Sequence, residues 1–450
     1  MDLPDPYWIP PWQAPCTGRV RPPGSKSLTN RALVLGALAE GPVCLRGALF
    51  SRDSRLLVDA LRELGFVIEE NEPEGWIRIE GRGGAIPFAE ASLRVGNAGT
   101  AARFLAALVC LRRGGQYHFD GDEEMHRRPM DGLLQALAAL GARFTFHGEP
   151  GKLPFTVETN GLRPGRWQVD ARASSQMLSA LLMVAPLAGG EVRLRCAQVR
   201  PAFVEMTRRL MVLFGAGVEG APRDGFRILP SRLRAPANGV YRIEADATAA
   251  SYFLALPFLV GGELFLEGIP AGSLQGDLAF AEVMKECGLR VETAADGWCV
   301  RYETTTSEGG ERVFDFTSFS DTFLTFAALA PFLPFPVRIT GVGHTRFQEC
   351  DRVAAAAAAL RAMGARVRVQ GDDICIGKLT TFPDGGCRVE TRRDHRVAMS
   401  FALAGCRDRR GDGRPWLGVR DPACVGKTFP SFFRELDKLY RLSHDKSERQ

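Results

Sequence analysis

Apolar positions along the chain fall into two alternating series of helical segments. In the first, a cluster of small polar residues leads into an apolar helix of about ten residues: GSKSLTNRALVLGALAEG, GNAGTAARFLAALVCLRRGG, ARASSQMLSALLMVAPLAGG, DATAASYFLALPFLVGG, SFSDTFLTFAALAPF and RRDHRVAMSFALAG. With Leu33, Leu105, Leu178, Leu254, Leu324 and Met399 as anchors, the gaps are 72, 73, 76, 70 and 75 residues. The second series is amphipathic and out of phase with the first: RLLVDALRELG, GLLQALAALG, MTRRLMVLFG, FAEVMKECG and AAAAALRAMG. Each stops at a glycine (Gly65, Gly141, Gly215, Gly288, Gly364), the usual left-handed residue just past a helix end. A sixth helix, FPSFFRELDKLYRL, lacks that glycine. Short alternating runs such as ARFTFHG and ARVRVQG follow the capped helices and predict strands.

The chain therefore reads as six copies of a unit of about 73 residues, each with two helices and several strands. One such unit cannot bury both helices alone, so the copies group into larger lobes. Three and three is the simplest grouping, with a boundary near Asn238–Tyr241, after the Pro/Arg-rich LPSRLRAPANG. An open solenoid would keep its polar clusters alike from copy to copy, and these differ.

Composition narrows the class without naming a chemistry. At 450 residues, two or three core units are expected, and 45% hydrophobic with 24% charged residues is ordinary for a soluble globular chain. A net charge of +5 is too small and dispersed to argue for a nucleic-acid partner. The eleven cysteines contain no C-x-x-C pair and the six histidines no H-E-x-x-H, so neither a zinc site nor a disulfide framework is expected and a reducing cytoplasm fits best. The N-terminus MDLPDPYWIPPW does not read as a signal peptide, and FLTFAALAPFLPFPV is too short and proline-broken for a membrane span. The expectation is a soluble cytoplasmic protein with no membrane partner.

Candidate chemistry gathers at the polar clusters. In RPPGSKSLTNRALVLGALAEGP the glycine–lysine spacing fails the P-loop pattern, yet Ser25 and Ser27 sit where a helix exposes unsatisfied N–H groups and the positive end of its dipole. The successive clusters offer Lys26, Ser27 and Arg31; Asn97, Gly99 and Arg103; Ser174, Ser175 and Gln176; then Arg396 in RRDHR and Lys427 in CVGKTFP. Arg128 in HRRPM and Arg352 in QECDR precede second-series helices. Any one of these cations could be a solvated surface group; their recurrence at equivalent repeat positions points to a cleft for a substrate pair carrying several negative charges. Acid–base candidates are fewer. Asp321 stands in the apolar, hydroxyl-rich SFSDTFLTF, where desolvation can raise its pKa. Glu349 lies between Arg346 and Arg352, an arrangement that also suits a structural ion pair. Neither a Ser-His-Asp arrangement nor a dinucleotide fingerprint is visible.

Taken in order, PPGSKSLTNRALVLGALA, GNAGTAARFLAAL, RPM, SSQMLSALLM, QECDRV, DHRVAMSFAL and KTFP resemble the 5-enolpyruvylshikimate-3-phosphate synthase family of enolpyruvyl transferases, from about residue 18 to residue 440. The resemblance implies a two-lobed inside-out α/β barrel fold, six repeats of a βαβαββ unit with three per lobe. The chain starts in one lobe, builds the other over residues 22–240, and returns, so that residues 1–21 and 241–450 form the second. It implies transfer of the enolpyruvyl group of phosphoenolpyruvate to the 5-hydroxyl of 3-phosphoshikimate in the shikimate pathway of aromatic amino acid biosynthesis, by a monomer using neither metal nor organic cofactor. By the same resemblance 3-phosphoshikimate is held by Lys26, Ser27, Arg31, Ser174, Ser175, Gln176, Asp321, His344 and Gln348. Phosphoenolpyruvate meets Lys26, Asn97, Gly99, Arg128, Gln176, Arg352, Arg396 and Lys427, while Asp321 and Glu349, with Lys26, carry the catalysis. The chain departs from the family pattern at Gln348 (usually Lys), Val199 and Ala202 (Ser and Tyr), His344 (Asn) and Phe104 (often Pro). These departures leave room for a transferase with another acceptor or for a non-catalytic polyanion binder. If 3-phosphoshikimate is the acceptor, Arg172 or Arg200 is expected to supply the missing positive charge.

Overall fold

The polar clusters become helix caps. In the computed structural model, which describes residues 3–197, 199–303, 309–383 and 385–447, Ser25 accepts a hydrogen bond from the Leu28 amide ahead of the helix Lys26–Leu38. Ser174 does the same ahead of Ser175–Val184, Asp246 ahead of Ala247–Val260 and Asp394 ahead of His395–Cys406. Each caps an N–H group that the first helical turn leaves unsatisfied. The helices Gly99–Val109 and Phe323–Leu329 complete the first series. A helix apolar on every side must be surrounded by protein; accordingly Gly99–Val109 and His395–Cys406 are buried along their whole length, and Lys26–Leu38 from Leu28 onward.

The second series supplies the amphipathic helices Arg52–Glu63, Asp131–Ala139, Pro201–Leu213, Phe280–Glu286, Arg352–Ala362 and Phe432–Ser447. Five end at the anticipated glycines, with φ of +90°, +119°, +85°, +94° and +90° at Gly65, Gly141, Gly215, Gly288 and Gly364. That left-handed region strains any residue with a Cβ.

Five four-stranded sheets and one three-stranded sheet are formed, so the anticipated barrel character lies in helices enclosed by separate small sheets, with no closed barrel among the described residues. The four-stranded sheets share one plan. A parallel pair comes first, followed by two antiparallel strands, as in Glu90–Arg94, Arg113–Asp120, Phe155–Asn160 and Arg143–Phe146. Parallel neighbours require a crossover, which the first-series helix provides where the two strands are consecutive in the chain; the second-series helix precedes the closing hairpin. This is the βαβαββ unit. Three edge strands come from far along the chain: Val240–Arg242 pairs with Glu40–Arg46, Cys16–Val20 with Gly262–Glu267, and Tyr7–Trp8 with Leu417–Val419.

The chain divides into two compact units, one being Gly24–Glu244 and the other the residues up to Pro23 together with those from Ala245 onward. The crossing falls after Val240–Arg242 because that strand is the edge of the sheet begun by Glu40–Arg46. Within Gly24–Glu244, the helix Gly99–Val109 packs against both Lys26–Leu38 and Ser175–Val184. Within the other unit the three first-series helices all pack on one another. Burying a Leu, Phe or Met side chain contributes about 1.5–3 kcal/mol, and each of these helices buries several such residues together with alanine. No helix among the described residues is long and apolar enough to cross a membrane.

Candidate active site

In the Gly24–Glu244 unit, polar groups collect at the N-termini of the buried helices. Lys26 opens its helix and places Nζ 3.2 Å from Asp53 Oδ2, in the first turn of Arg52–Glu63. Ser27 is half-buried beside it. Arg31, one helical turn on, points inward and is only 2% exposed. Its Nε donates to Thr207 Oγ1 at 2.7 Å, Nη1 to the Ser27 carbonyl at 3.0 Å, and Nη2 to Ser179 Oγ and the Phe203 carbonyl at 3.4 and 3.2 Å. Burial pushes its pKa down to about 9. Arg31 thus braces three segments from behind Ser27, where the sequence suggested a cleft-lining cation.

Asn97, Gly99, Arg103, Arg128 and Gln176 form one cluster. Arg128 Nη1 donates to both the side-chain and the backbone oxygen of Asn97 at 3.2 Å, while its buried Nε has no hydrogen-bond partner. Arg103 Nη1 donates to Gln176 Oε1 at 2.7 Å, and Nη2 to the Pro129 carbonyl at 2.7 Å. A Cβ on Gly99 would stand 2.8 Å from the guanidinium groups of both arginines, so glycine here lets two cations approach the backbone. Ser174 caps the helix that carries Ser175 and Gln176. Arg172 is exposed and turned to Asp170, which it meets at 2.5 Å. Arg200 lies beside Val199, just before the helix that begins Pro201-Ala202, and both are half-buried.

The second unit assembles a run of alternating charge. Arg352, 1% exposed, donates through Nε to Asp394 Oδ2 at 2.7 Å, through Nη2 to Glu349 Oε2 at 2.9 Å, and through Nη1 to Asp321 Oδ1 at 3.2 Å and to Gln348 Oε1. Arg396 Nη2 reaches the other Asp321 oxygen at 2.9 Å, and Lys427 Nζ the other Glu349 oxygen at 3.3 Å. The order is Lys427, Glu349, Arg352, Asp321, Arg396, with every carboxylate set between two cations. Burial works against the charge of Arg352, but the carboxylates of Asp394, Glu349 and Asp321 overcome it and raise its pKa well above the usual arginine value. Arg396 is likewise raised, burial being outweighed by Asp321. His344 Nε2 lies 2.7 Å from Ser320 Oγ, next to Asp321.

Two residues central to this geometry escaped the sequence reading. Asp394 is the nearest carboxylate to Arg352, and Asp53 is a partner of Lys26. Both stand at helix starts, where an aspartate reads as a cap. A signal existed for Asp394: it follows Arg392 and Arg393, and both hold left-handed backbone (φ +53° and +58°), a strain that clusters at functional sites. Such conformations are not written in residue identity.

Residues 12–436 match the family model of EPSP synthase (3-phosphoshikimate 1-carboxyvinyltransferase). The chain is similar to 3-phosphoshikimate 1-carboxyvinyltransferase of Opitutus terrae, 48% identical over 98% of this chain and 99% of that protein. The protein of the same name from Nostoc punctiforme is 37% identical over 94% of this chain and 97% of its own. Among solved structures, an EPSP synthase from Acinetobacter baumannii shares the fold with a TM-score of 0.79 at 24% identity, covering 96% of this chain and 97% of that one.

Proposed function

The chain belongs to the EPSP synthase family, and on that premise we propose that it transfers the enolpyruvyl group of phosphoenolpyruvate to the 5-hydroxyl of 3-phosphoshikimate and releases phosphate, in the shikimate pathway. The observation that carries the reading is the alternating run Lys427–Glu349–Arg352–Asp321–Arg396. The reaction needs a proton delivered to C3 of the enol while the acceptor hydroxyl loses its own and bonds to C2. The tetrahedral adduct then loses a proton from C3 as the bond from C2 to the phosphate oxygen breaks. Two carboxyl groups suffice for both directions of transfer, and we assign the task to Asp321 and Glu349. The cations Arg352, Arg396 and Lys427 suit phosphoenolpyruvate, whose carboxylate and phosphate can take over hydrogen bonds now given to those two side chains.

In the Gly24–Glu244 unit we assign Lys26, Ser27, Ser174, Ser175 and Gln176 to the acceptor, with Arg31 bracing Ser27 from behind. Asn97, Gly99 and Arg128 offer an anion site, since Arg128 retains an unpartnered Nε–H. In the other unit His344 and Gln348 offer further hydrogen-bonding groups, while Arg172 pairs with Asp170 at the surface. Phosphate release should require phosphoenolpyruvate and 3-phosphoshikimate together, with unphosphorylated shikimate a poor acceptor. Equal turnover of the two acceptors would remove 3-phosphoshikimate from the assignment, and no release with either would remove the reaction.

A further inference from the structure

Behind Asp321 and Arg396 lies a third carboxyl group that the reaction does not call for. Asp277 sits in the single helical turn Gly276–Ala279, which packs against the turn Ser320–Thr322 and against the helix Ala247–Val260. Its position is fixed by the preceding residue but one: Gln275 Oε1 accepts from the Ala247 amide at 2.9 Å and its Nε2 donates to the Ala245 carbonyl at 2.7 Å. Asp277 is buried, and its Oδ1 has no hydrogen-bond partner.

The charged groups facing it are Asp321 from the neighbouring turn, Arg396 from His395–Cys406, and Asp246 at the start of Ala247–Val260. Tyr252, on that last helix, faces Arg396. Two of these three charges are therefore carboxylates, and the cation among them already donates to Asp321. A buried carboxylate with an unsatisfied oxygen and like charges beside it is the costly form of the group; a proton on it removes most of that cost.

We propose that Asp277 is a positioning residue: it holds a proton while the site is competent, and losing that proton draws Arg396 away from Asp321. In the protonated state the Arg396–Asp321 bond is unopposed, and Asp321 keeps its orientation. Once ionised, Asp277 competes for the same guanidinium and repels Asp321. Burial first, and then repulsion from Asp321, push the Asp277 carboxyl up to about 8 from an ordinary 3.8, so the switch falls just above neutrality. The inference rests on the proposed role of Asp321.

The test uses the full chain and Asp277→Asn, which mimics the protonated side chain. First, melting temperature is compared between pH 4 and pH 9. A carboxyl with a raised folded-state pKa contributes stability that is full below its unfolded pKa and disappears as pH climbs to the folded one. Asparagine does not titrate, so the melting temperature of the variant minus that of the wild type should grow by roughly a few °C from pH 4 to 8 and then level off. A difference independent of pH means that Asp277 is ionised throughout, and overturns the proposal. Second, turnover of phosphoenolpyruvate with 3-phosphoshikimate is followed over the same range. Wild-type activity should fall about tenfold per pH unit above pH 8, and the variant should lack that limb while matching wild type at pH 7. An alkaline limb of unchanged position in the variant overturns the positioning role. If neither protein turns over the substrates but the melting difference grows with pH, the proton is assigned correctly and the proposed reaction is what fails. Should Asp277→Asn not fold, Asp277→Ser provides the same neutral comparison with a smaller side chain.

Discussion

Arg31 and Arg352 are both almost completely buried, yet one is lodged among hydroxyls and carbonyls and the other among carboxylates. Burial alone acts on Arg31 and lowers its pKa, whereas Arg352 is raised well above the ordinary value by its three acidic neighbours. The contrast extends to one neighbour: Arg128 leans on the neutral oxygens of Asn97, while Arg396 and Lys427, like Lys26 of the Gly24–Glu244 unit, each meet a carboxylate. A cation held by neutral oxygens keeps its charge uncancelled and suits the static grip of a dianion. In a chain of alternating charges the cations stay charged and the carboxylates are nearly neutralised link by link, so a proton can join or leave a carboxylate without leaving a large isolated charge. On the proposed assignment, one unit holds and the other transfers.

The largest expected effect lies in the transferring unit. Asp321→Asn and Glu349→Gln should each lower kcat by about 10²–10⁴-fold with little change in KM, measured by phosphate release at saturating substrate. Near-normal kcat in both would reduce these carboxylates to ion-pair partners and erase the contrast.

Stability offers a second handle. Arg352→Met strands Asp321, Glu349 and Asp394 without their shared cation and should destabilise the protein by about 3–5 kcal/mol. Arg31→Met leaves hydroxyls and carbonyls short of a donor, a loss of about 1–3 kcal/mol. Denaturant unfolding of the two variants side by side sharpens the comparison if Arg352→Met is the worse, and breaks it if the order is reversed.

The smallest effects separate cations that hold ligands from those that do not. Lys26→Ala should weaken transition-state binding by about 1.5–3 kcal/mol, the range for a charge-assisted hydrogen bond, seen as a fall in kcat/KM. Arg172→Ala should leave kcat/KM within about twofold of wild type, because an exposed ion pair contributes little and that side chain is occupied with Asp170.

Much of this was legible in the residues because it is local chemistry. A serine or aspartate before an apolar run and a glycine after one mark helix ends with groups only a few residues apart, and the five capping glycines stand where their spacing placed them. The repeat followed from that punctuation, while the two-lobed arrangement of βαβαββ units came from the family resemblance. Strand partnership did not, since Val240–Arg242 completes a sheet begun by Glu40–Arg46 and nothing in either segment names the other. Side-chain direction was equally hidden: Arg31 and Lys26 belong to one motif, but only helical geometry decides which turns into the core. Asp277 was invisible for a related reason, being one acidic residue in an unremarkable loop until the fold sets it beside Asp321.

The borrowed edge strands also impose a timetable on synthesis. As the chain emerges, the segment Cys16–Val20 appears first but its partner Gly262–Glu267 is made only after Gly24–Glu244 is complete. Tyr7–Trp8 waits longer still, until Leu417–Val419 has been added. The continuous unit can close as soon as Val240–Arg242 is available, while the opening residues remain unpaired through most of translation. Pairings of such sequence separation are slow to form, and chains of this size fold domain by domain in the order they are made. These early strands are thus among the last segments to find their places.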